Sequence, residues 1–111
     1  KIDLKIIPFV HLASEQEIPG GFSYRDAIRM AMAAGGERGM SGDDVMRAAT
    51  LAPELKSAKD ALLLSPEDHG WLVRRVNAVV WKDASPAIAE FIKDVRDAPL
   101  VEIEEPAKAA A

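Results

Sequence analysis

The residues best suited to chemistry in this chain are two histidines, His11 and His69, and a few adjacent carboxylates. His69 follows Glu67 and Asp68, and a histidine beside two carboxylates could act as a general base or bind a metal ion. The spacing identifies no third or fourth metal ligand, and a lone histidine beside an apolar helix stripe is more often structural. We therefore predict no catalytic residue and no metal site.

The acid pairs Asp43-Asp44 and Glu67-Asp68 have a simpler explanation than acid–base catalysis. Adjacent residues on a helix do not face each other, and acids in a first turn are favoured by the helix dipole. The chain also lacks the glycine motifs that bind nucleotides and the Gly-x-Ser-x-Gly motif of hydrolases. The sequence predicts a non-enzymatic protein without a cofactor.

Composition narrows the class of protein further. The chain has 111 residues, which suits a single domain, predicted over residues 1–99 with an arm at 1–21 and a tail at 100–111. Its formal net charge of −4 disfavours binding to a polyanion, and the absence of cysteine excludes disulfides and thiolate chemistry. No apolar run approaches the ~18 residues that cross a membrane, so we expect a cytoplasmic protein with no membrane partner.

The stretch from Leu62 to Val95 predicts two neighbouring helices, because Ser65-Pro66 and Ser85-Pro86 are both typical helix starts. We expect the first of these helices to end at about Trp81 or Lys82. Ser23 and Ser41 predict two earlier helices, so the expected fold class is mainly α with about four helices. The α+β class stays open, because residues 1–21 form either an extended arm or a β-hairpin and residues 60–64 could pair with them.

The helix that begins at Pro66 has two apolar sides. At about 100° per residue, one side carries a predicted core stripe and the other carries Trp71, Arg74 and Trp81. Tryptophan and arginine are enriched in protein interfaces, so these three residues form a candidate interaction face. The alternative is that helices from residues 23–52 cover this face. The predicted core stripe comprises Leu72, Val73, Val76, Val79 and Val80.

The arm carries more apolar surface than a free segment leaves in water. Its candidate contacts are Ile2, Leu4, Ile6 and Phe9. Exchange of the arm between two copies would bury these side chains, so we expect a homo-oligomer, most simply a dimer.

A DNA-binding helix-turn-helix over residues 41–82 is the alternative function. The residues that would meet DNA at the start of the second helix are Pro66, Glu67 and Asp68, and these acids repel phosphate. We therefore expect nucleic acid not to be a partner.

Several short motifs follow one another along the chain: Phe22-Ser23 with Ala27, Ser41-Gly42, Leu51-Ala52, Leu64-Ser65-Pro66-Glu67-Asp68 and Ser85-Pro86. Their order resembles that of small uncharacterised proteins of tailed bacteriophages and prophages. The resemblance spans about residues 1–97 and implies an accessory or assembly role, another phage protein as a partner, and a location in the bacterial host or the virion. It transfers no catalytic residue.

Overall fold

A computed structural model describes residues 1–10, 14–34, 39–81 and 84–100. The predicted mainly α class is wrong, because two small antiparallel sheets accompany the helices and make the chain α+β. Except for Leu100, the predicted tail lies outside the described residues. The elements are β1 (Ile2–Asp3), β2 (Ile6–Val10), β3 (Glu17–Ser23), α1 (Tyr24–Ala33), α2 (Gly42–Ser57), β4 (Ala61–Leu62), α3 (Pro66–Ala78) and α4 (Pro86–Arg96).

The first sheet joins the start of the chain to its middle. In this sheet β1 pairs with β4, and Ile2 lies opposite Leu62. The amide of Leu4 continues the pairing by donating to the carbonyl of Asp60 at 2.8 Å. Both Ile2 and Leu62 are buried, so the pairing places two apolar side chains in the core. The apolar run at residues 60–64 therefore pairs with the arm, the alternative that periodicity left open.

The second sheet is the hairpin of β2 and β3, and it contains a wide bulge. One residue of β2, Pro8, lies opposite three residues of β3: Pro19, Gly20 and Gly21. Neither proline has an amide hydrogen for the ladder, so the strands separate here. Gly21 has φ +74°, and a Cβ at this position would lie 2.8 Å from the carbonyl oxygen of Ile7. Only glycine fits at this position.

All four helices in the described part of the chain begin as the sequence predicts. Each has a serine before its first turn, and the serine hydroxyl accepts a hydrogen bond from a first-turn amide. The cap of α4 also joins two elements, because the Ser85 hydroxyl donates to the carbonyl of Val10 at 2.7 Å. The start of α4 is thereby fixed to the end of β2. The four capping residues are Ser23, Ser41, Ser65 and Ser85.

Two helix ends differ from the expectations. Helix α3 ends at Ala78 rather than at Trp81 or Lys82, because Val79 adopts an extended conformation. Val80, which was predicted to lie in the core stripe, is consequently almost fully exposed. Helix α2 continues through Pro53 to Ser57, although a proline inside a helix usually breaks or kinks it.

A side chain of α1 closes the end of α2. The Arg25 guanidinium donates to the carbonyls of Leu55, Ala58 and Lys59, the last two at 2.6 and 2.9 Å. The last carbonyls of a helix have no partner within the helix, so a cation placed there satisfies them and complements the helix dipole. Arg25 thus ties α2 to α1. We name this set of bonds the Arg25 clamp.

The core lies between α1, α3, α4 and the two sheets. Within the predicted core stripe, Leu72 and Val76 are buried, whereas Val73 and Val79 are half-buried. Helix α2 contributes only Leu51 and Leu55 to the buried set. The largest fully buried side chains are Tyr24, Phe91, Ile28, Leu55, Leu72, Val76 and Val95.

Candidate functional site

An apolar groove of ≈ 560 Å³ lies between the β2–β3 hairpin, α1 and the segment that leads into α4. The bulge opposite Pro8 forms one wall, because Gly20 and Gly21 line the groove without side chains. The groove is therefore a consequence of the two prolines and two glycines that interrupt the hairpin ladder. We refer to it as the apolar groove, and its apolar side chains come from Ile6, Phe9, Phe22, Ala27, Met30, Trp81 and Ile88.

The floor of the apolar groove is an aromatic cluster. The ring of Phe22 lies 5.2 Å from that of Phe9 and 5.5 Å from that of Phe91, measured between ring centroids. Trp81 contacts the same Phe91 ring at 6.1 Å, nearly edge to face. Such ring pairs are favourable and directional, so they hold the floor in one arrangement. The groove is thus formed before any partner arrives.

The rims of the apolar groove expose large side chains. Ile6 on β2 is 68% exposed and Met30 on α1 is 42% exposed. Asp26 is the one charged residue that lines the groove in the described part of the chain, and Arg29 lies 3.3 Å from its carboxylate. Exposed apolar side chains clustered around a preformed depression are typical of a binding surface.

The structure does not bring the predicted interaction face together. Trp71 is buried, and its indole N–H donates to a carboxylate oxygen of Asp44 at 2.8 Å. Arg74 is exposed on α3, whereas Trp81 lies beyond the end of that helix and lines the apolar groove. For Trp71 the alternative expectation is the correct one, because helices from residues 23–52 cover this side of α3.

A charged cluster surrounds Trp71. The Asp44 carboxylate lies 3.5 Å from the Arg75 guanidinium, which also donates to the carbonyl of Ala34 at the end of α1. The hydrogen bond from the Trp71 indole lowers the pKa of Asp44, and Ser41 and the neighbouring arginines lower it further. These contacts tie the start of α2 to α3, so we assign the cluster a structural role.

The predicted arm contacts divide into two kinds. Ile2 is buried, and Leu4 and Phe9 are half-buried against the core of their own chain. Ile6 is the arm residue that faces solvent, at the rim of the apolar groove. The arm therefore buries most of its apolar surface within the chain, and the members of this set that line the groove are Ile6, which is exposed, and Phe9, which is half-buried.

A second polar cluster anchors the arm to α4. The hydroxyl of Tyr24 donates to Asp94 at 2.5 Å, and Lys5 lies 3.4 Å from the same carboxylate. Burial raises the pKa of Tyr24, and the hydrogen bond to Asp94 and the negative charges of Asp94 and Glu90 raise it further. A phenol held protonated in this way is a hydrogen-bond donor and not a base, which indicates a structural contact.

His69 occupies the structural position predicted for it. Its Nε2–H donates to the carbonyl of Val95 at 2.6 Å, near the end of α4. Within the described residues, no group of three histidine or acidic side chains is placed to hold a metal ion. His69 therefore joins α3 to α4, as a partly buried histidine of the core does.

Sequence reasoning selected Ile6, Phe9 and Trp81 but assigned them to two separate sites. Met30 was missed, although its helical angle places it outside the stripe of α1 that is buried, and an apolar residue at such an angle is a signal of exposure. The groove as a whole could not be read from the sequence because its walls come from distant segments.

No helix in the described part of the chain is long and apolar enough to cross a membrane. Comparison of the chain with protein-family models, with curated proteins and with solved structures finds no match.

Proposed function

We propose that this chain is a non-enzymatic interaction protein that binds a second copy of itself through the apolar groove. The observation that carries the proposal is a preformed aromatic floor between two exposed apolar rims, Ile6 and Met30. Burying such side chains against a partner removes apolar surface from water, the main driving force for association. The resemblance of residues 1–97 to phage proteins supports an assembly or accessory role for the resulting oligomer.

The polar groups of the groove support an apolar occupant over a polar metabolite. The Ser23 hydroxyl already accepts a hydrogen bond from the amide of Asp26 at 3.3 Å, and the Asp26 carboxylate pairs with Arg29. A metabolite site has a few polar groups that converge on one ligand, together with apolar walls. Ser23 and Asp26 are instead engaged in capping the start of α1. A partner would therefore be recognised by the shape of the groove and by its apolar surface.

The geometry gives no support to the alternative of a DNA-binding regulator. Helix-turn-helix motifs join their two helices by a turn of about three or four residues. Here α2 ends at Ser57 and α3 begins at Pro66, and the strand β4 lies between them. The start of α3 also presents Glu67 and Asp68, which repel a phosphate backbone.

The test replaces a rim residue with a charge. Met30→Asp places a carboxylate at the groove while leaving the core of α1 intact, so we expect the folded variant to be monomeric where the wild-type chain is oligomeric. Leu63→Asp is the matched control, because Leu63 is 46% exposed and does not line the groove. Molar mass is measured by light scattering after gel filtration at tens of micromolar, with circular dichroism to check folding. A monomeric wild-type chain, or a Met30→Asp variant that associates like the wild type, would overturn the proposal.

A further inference from the structure

All sulfur atoms of this chain belong to methionines. The sequence contains no cysteine and four methionines, Met30, Met32, Met40 and Met46. Oxidation of a methionine thioether gives a sulfoxide, which turns a flexible apolar side chain into a polar one. An oxidant therefore alters a binding surface of this protein where it reaches a methionine that belongs to that surface.

Burial separates the four methionines. Met32 is 3% exposed in the core, and Met40 is half-buried in the segment before α2. Met30 is 42% exposed and Met46 is 71% exposed. Met30 and Met32 are two positions apart on α1, about 200° around the helix, so one faces outward while the other is buried. Met30 and Met46 are thus the two thioethers most accessible to an oxidant.

The surroundings of these two thioethers differ. Met30 lies at the rim of the apolar groove, above its aromatic floor. Met46 lies in a polar cleft between α2 and α3, together with Arg47 and Asp68. A sulfoxide at Met46 stays among charged groups and water, whereas a sulfoxide at Met30 places a strong dipole on an apolar surface.

The charged group beside Met30 does not compensate for such a dipole. Asp26 lines the groove one helical turn before Met30 on α1. A carboxylate accepts hydrogen bonds and does not donate them, so it repels a sulfoxide oxygen. The Arg29 guanidinium, 3.3 Å from this carboxylate, is already paired with it. Oxidation of Met30 therefore adds polarity that an apolar partner surface would have to bury.

We propose that Met30 is a reversible oxidation site through which hydrogen peroxide controls association at the apolar groove. This inference rests on the proposed function, because it names the regulation of the same groove. A lone pair of the Met30 sulfur attacks one peroxide oxygen, the O–O bond breaks, and the departing hydroxide takes the proton of the transferred oxygen and leaves as water. Sulfur is oxidised by two electrons and the peroxide is reduced. Methionine sulfoxide reductases restore the thioether with two electrons from thiols, which become a disulfide, and the oxygen is released as water.

The state of assembly decides when this reaction occurs. In the free chain the Met30 side chain is accessible, whereas in the proposed oligomer a partner covers it. Peroxide should therefore modify chains before they assemble, and assembly should protect Met30. Modified chains should associate about 10-fold more weakly or worse, because a polar group would be buried without a hydrogen bond.

Peroxide treatment followed by light scattering tests the inference. Chains are oxidised at high dilution, peptide mass spectrometry locates the sulfoxides, and molar mass is then measured at tens of micromolar, with circular dichroism to check folding. Met30→Leu keeps an apolar rim without sulfur, so it should associate both before and after peroxide. The matched control combines Met40→Leu with Met46→Leu and retains Met30. It should lose association on oxidation and regain it after treatment with methionine sulfoxide reductases.

The outcomes separate the two proposals. A wild-type chain that is monomeric before oxidation overturns the proposed function, and the regulation falls with it. The same holds if Met30 reacts as fast in the oligomer as in the diluted chain, with Met46 as the internal reference, because the interface then lies elsewhere. If Met30 is protected in the oligomer but chains oxidised at Met30 associate like untreated ones, only the control by oxidation is wrong. Loss of association of Met30→Leu in peroxide would assign the effect to another residue and overturn the inference as well.

Discussion

Replacing Phe91 with alanine tests the part of the core on which the apolar groove is built. Phe91 is fully buried on α4. Its ring lies 5.0 Å from that of Tyr24, 5.5 Å from that of Phe22 and 6.1 Å from that of Trp81. Alanine leaves a cavity in the middle of this cluster and removes all three ring contacts. We therefore expect the variant to be less stable and the apolar groove to be distorted.

The size of the expected loss in the free energy of unfolding follows from the buried position of Phe91. Truncation of a buried phenylalanine to alanine costs about 3–5 kcal/mol in the free energy of unfolding. The loss should fall in the upper half of this range, because each aromatic pair contributes about 0.5–1.5 kcal/mol beyond area burial. The cavity walls belong to α1, β3 and the segment before α4, so no single element can move in to fill it.

Urea denaturation followed by circular dichroism measures the loss. Ile92→Ala is the matched control, since Ile92 is the next residue and is only half-buried; its loss should be about 1–2 kcal/mol, below the range for a fully buried side chain. If Phe91→Ala does not fold, Phe91→Leu keeps most of the volume and should still lose about 1–3 kcal/mol through the ring contacts. Wild-type stability in Phe91→Leu and Phe91→Ala would refute the assigned packing.

Two further predictions concern the polar clusters. Tyr24→Phe removes the hydrogen bond to Asp94 and should cost about 1.5–2 kcal/mol in the free energy of unfolding, the lower part of the range for a bond to a charged group, because the Asp94 side chain is 38% exposed. Because the pKa of Tyr24 is raised in the folded state, its stabilising contribution is complete below the unfolded-state pKa of about 10 and is lost as the pH rises above that value. The difference in stability between the wild type and Tyr24→Phe should therefore shrink in alkali. Asp44→Asn should reduce stability at neutral pH. Because the pKa of Asp44 is lowered, the wild-type advantage should disappear as the pH falls below about 4, which unfolding curves at pH 7, 5 and 3 would show.

Local features of this fold could be predicted from the sequence because their causes are local. Ser23 and Ser65 cap helices through amides three residues away, and the acids that follow them belong to the same first turn. His69 was assigned a structural role for a similar reason, since a single histidine without nearby ligands has little chemistry available. Such interactions depend on a few consecutive residues, which a sequence displays directly.

Non-local features could not be predicted. The pairing of Ile2 with Leu62 joins segments far apart in the chain, and periodicity does not identify the partner of a short strand. The end of α3 at Ala78 depends on tertiary packing of Trp81 against Phe91, which outweighs the continuing apolar pattern. The apolar groove has walls from Ile6 to Ile88, so no single stretch of sequence contains it.

The Arg25 clamp has a consequence for the way this protein opens. Helix α2 buries few side chains, and one guanidinium binds the carbonyl of Leu55 in its last turn together with those of Ala58 and Lys59 just after it. Detachment of α2 breaks these bonds to α1 and the Asp44 contacts to α3 at the same time as it exposes Leu51 and Leu55, so α2 should detach as one cooperative unit, at a lower free energy than global unfolding. Any partner that binds only the attached state of α2 would suppress this detachment. Hydrogen exchange of the α2 amides would then report the opening of this one helix separately from the unfolding of the whole chain.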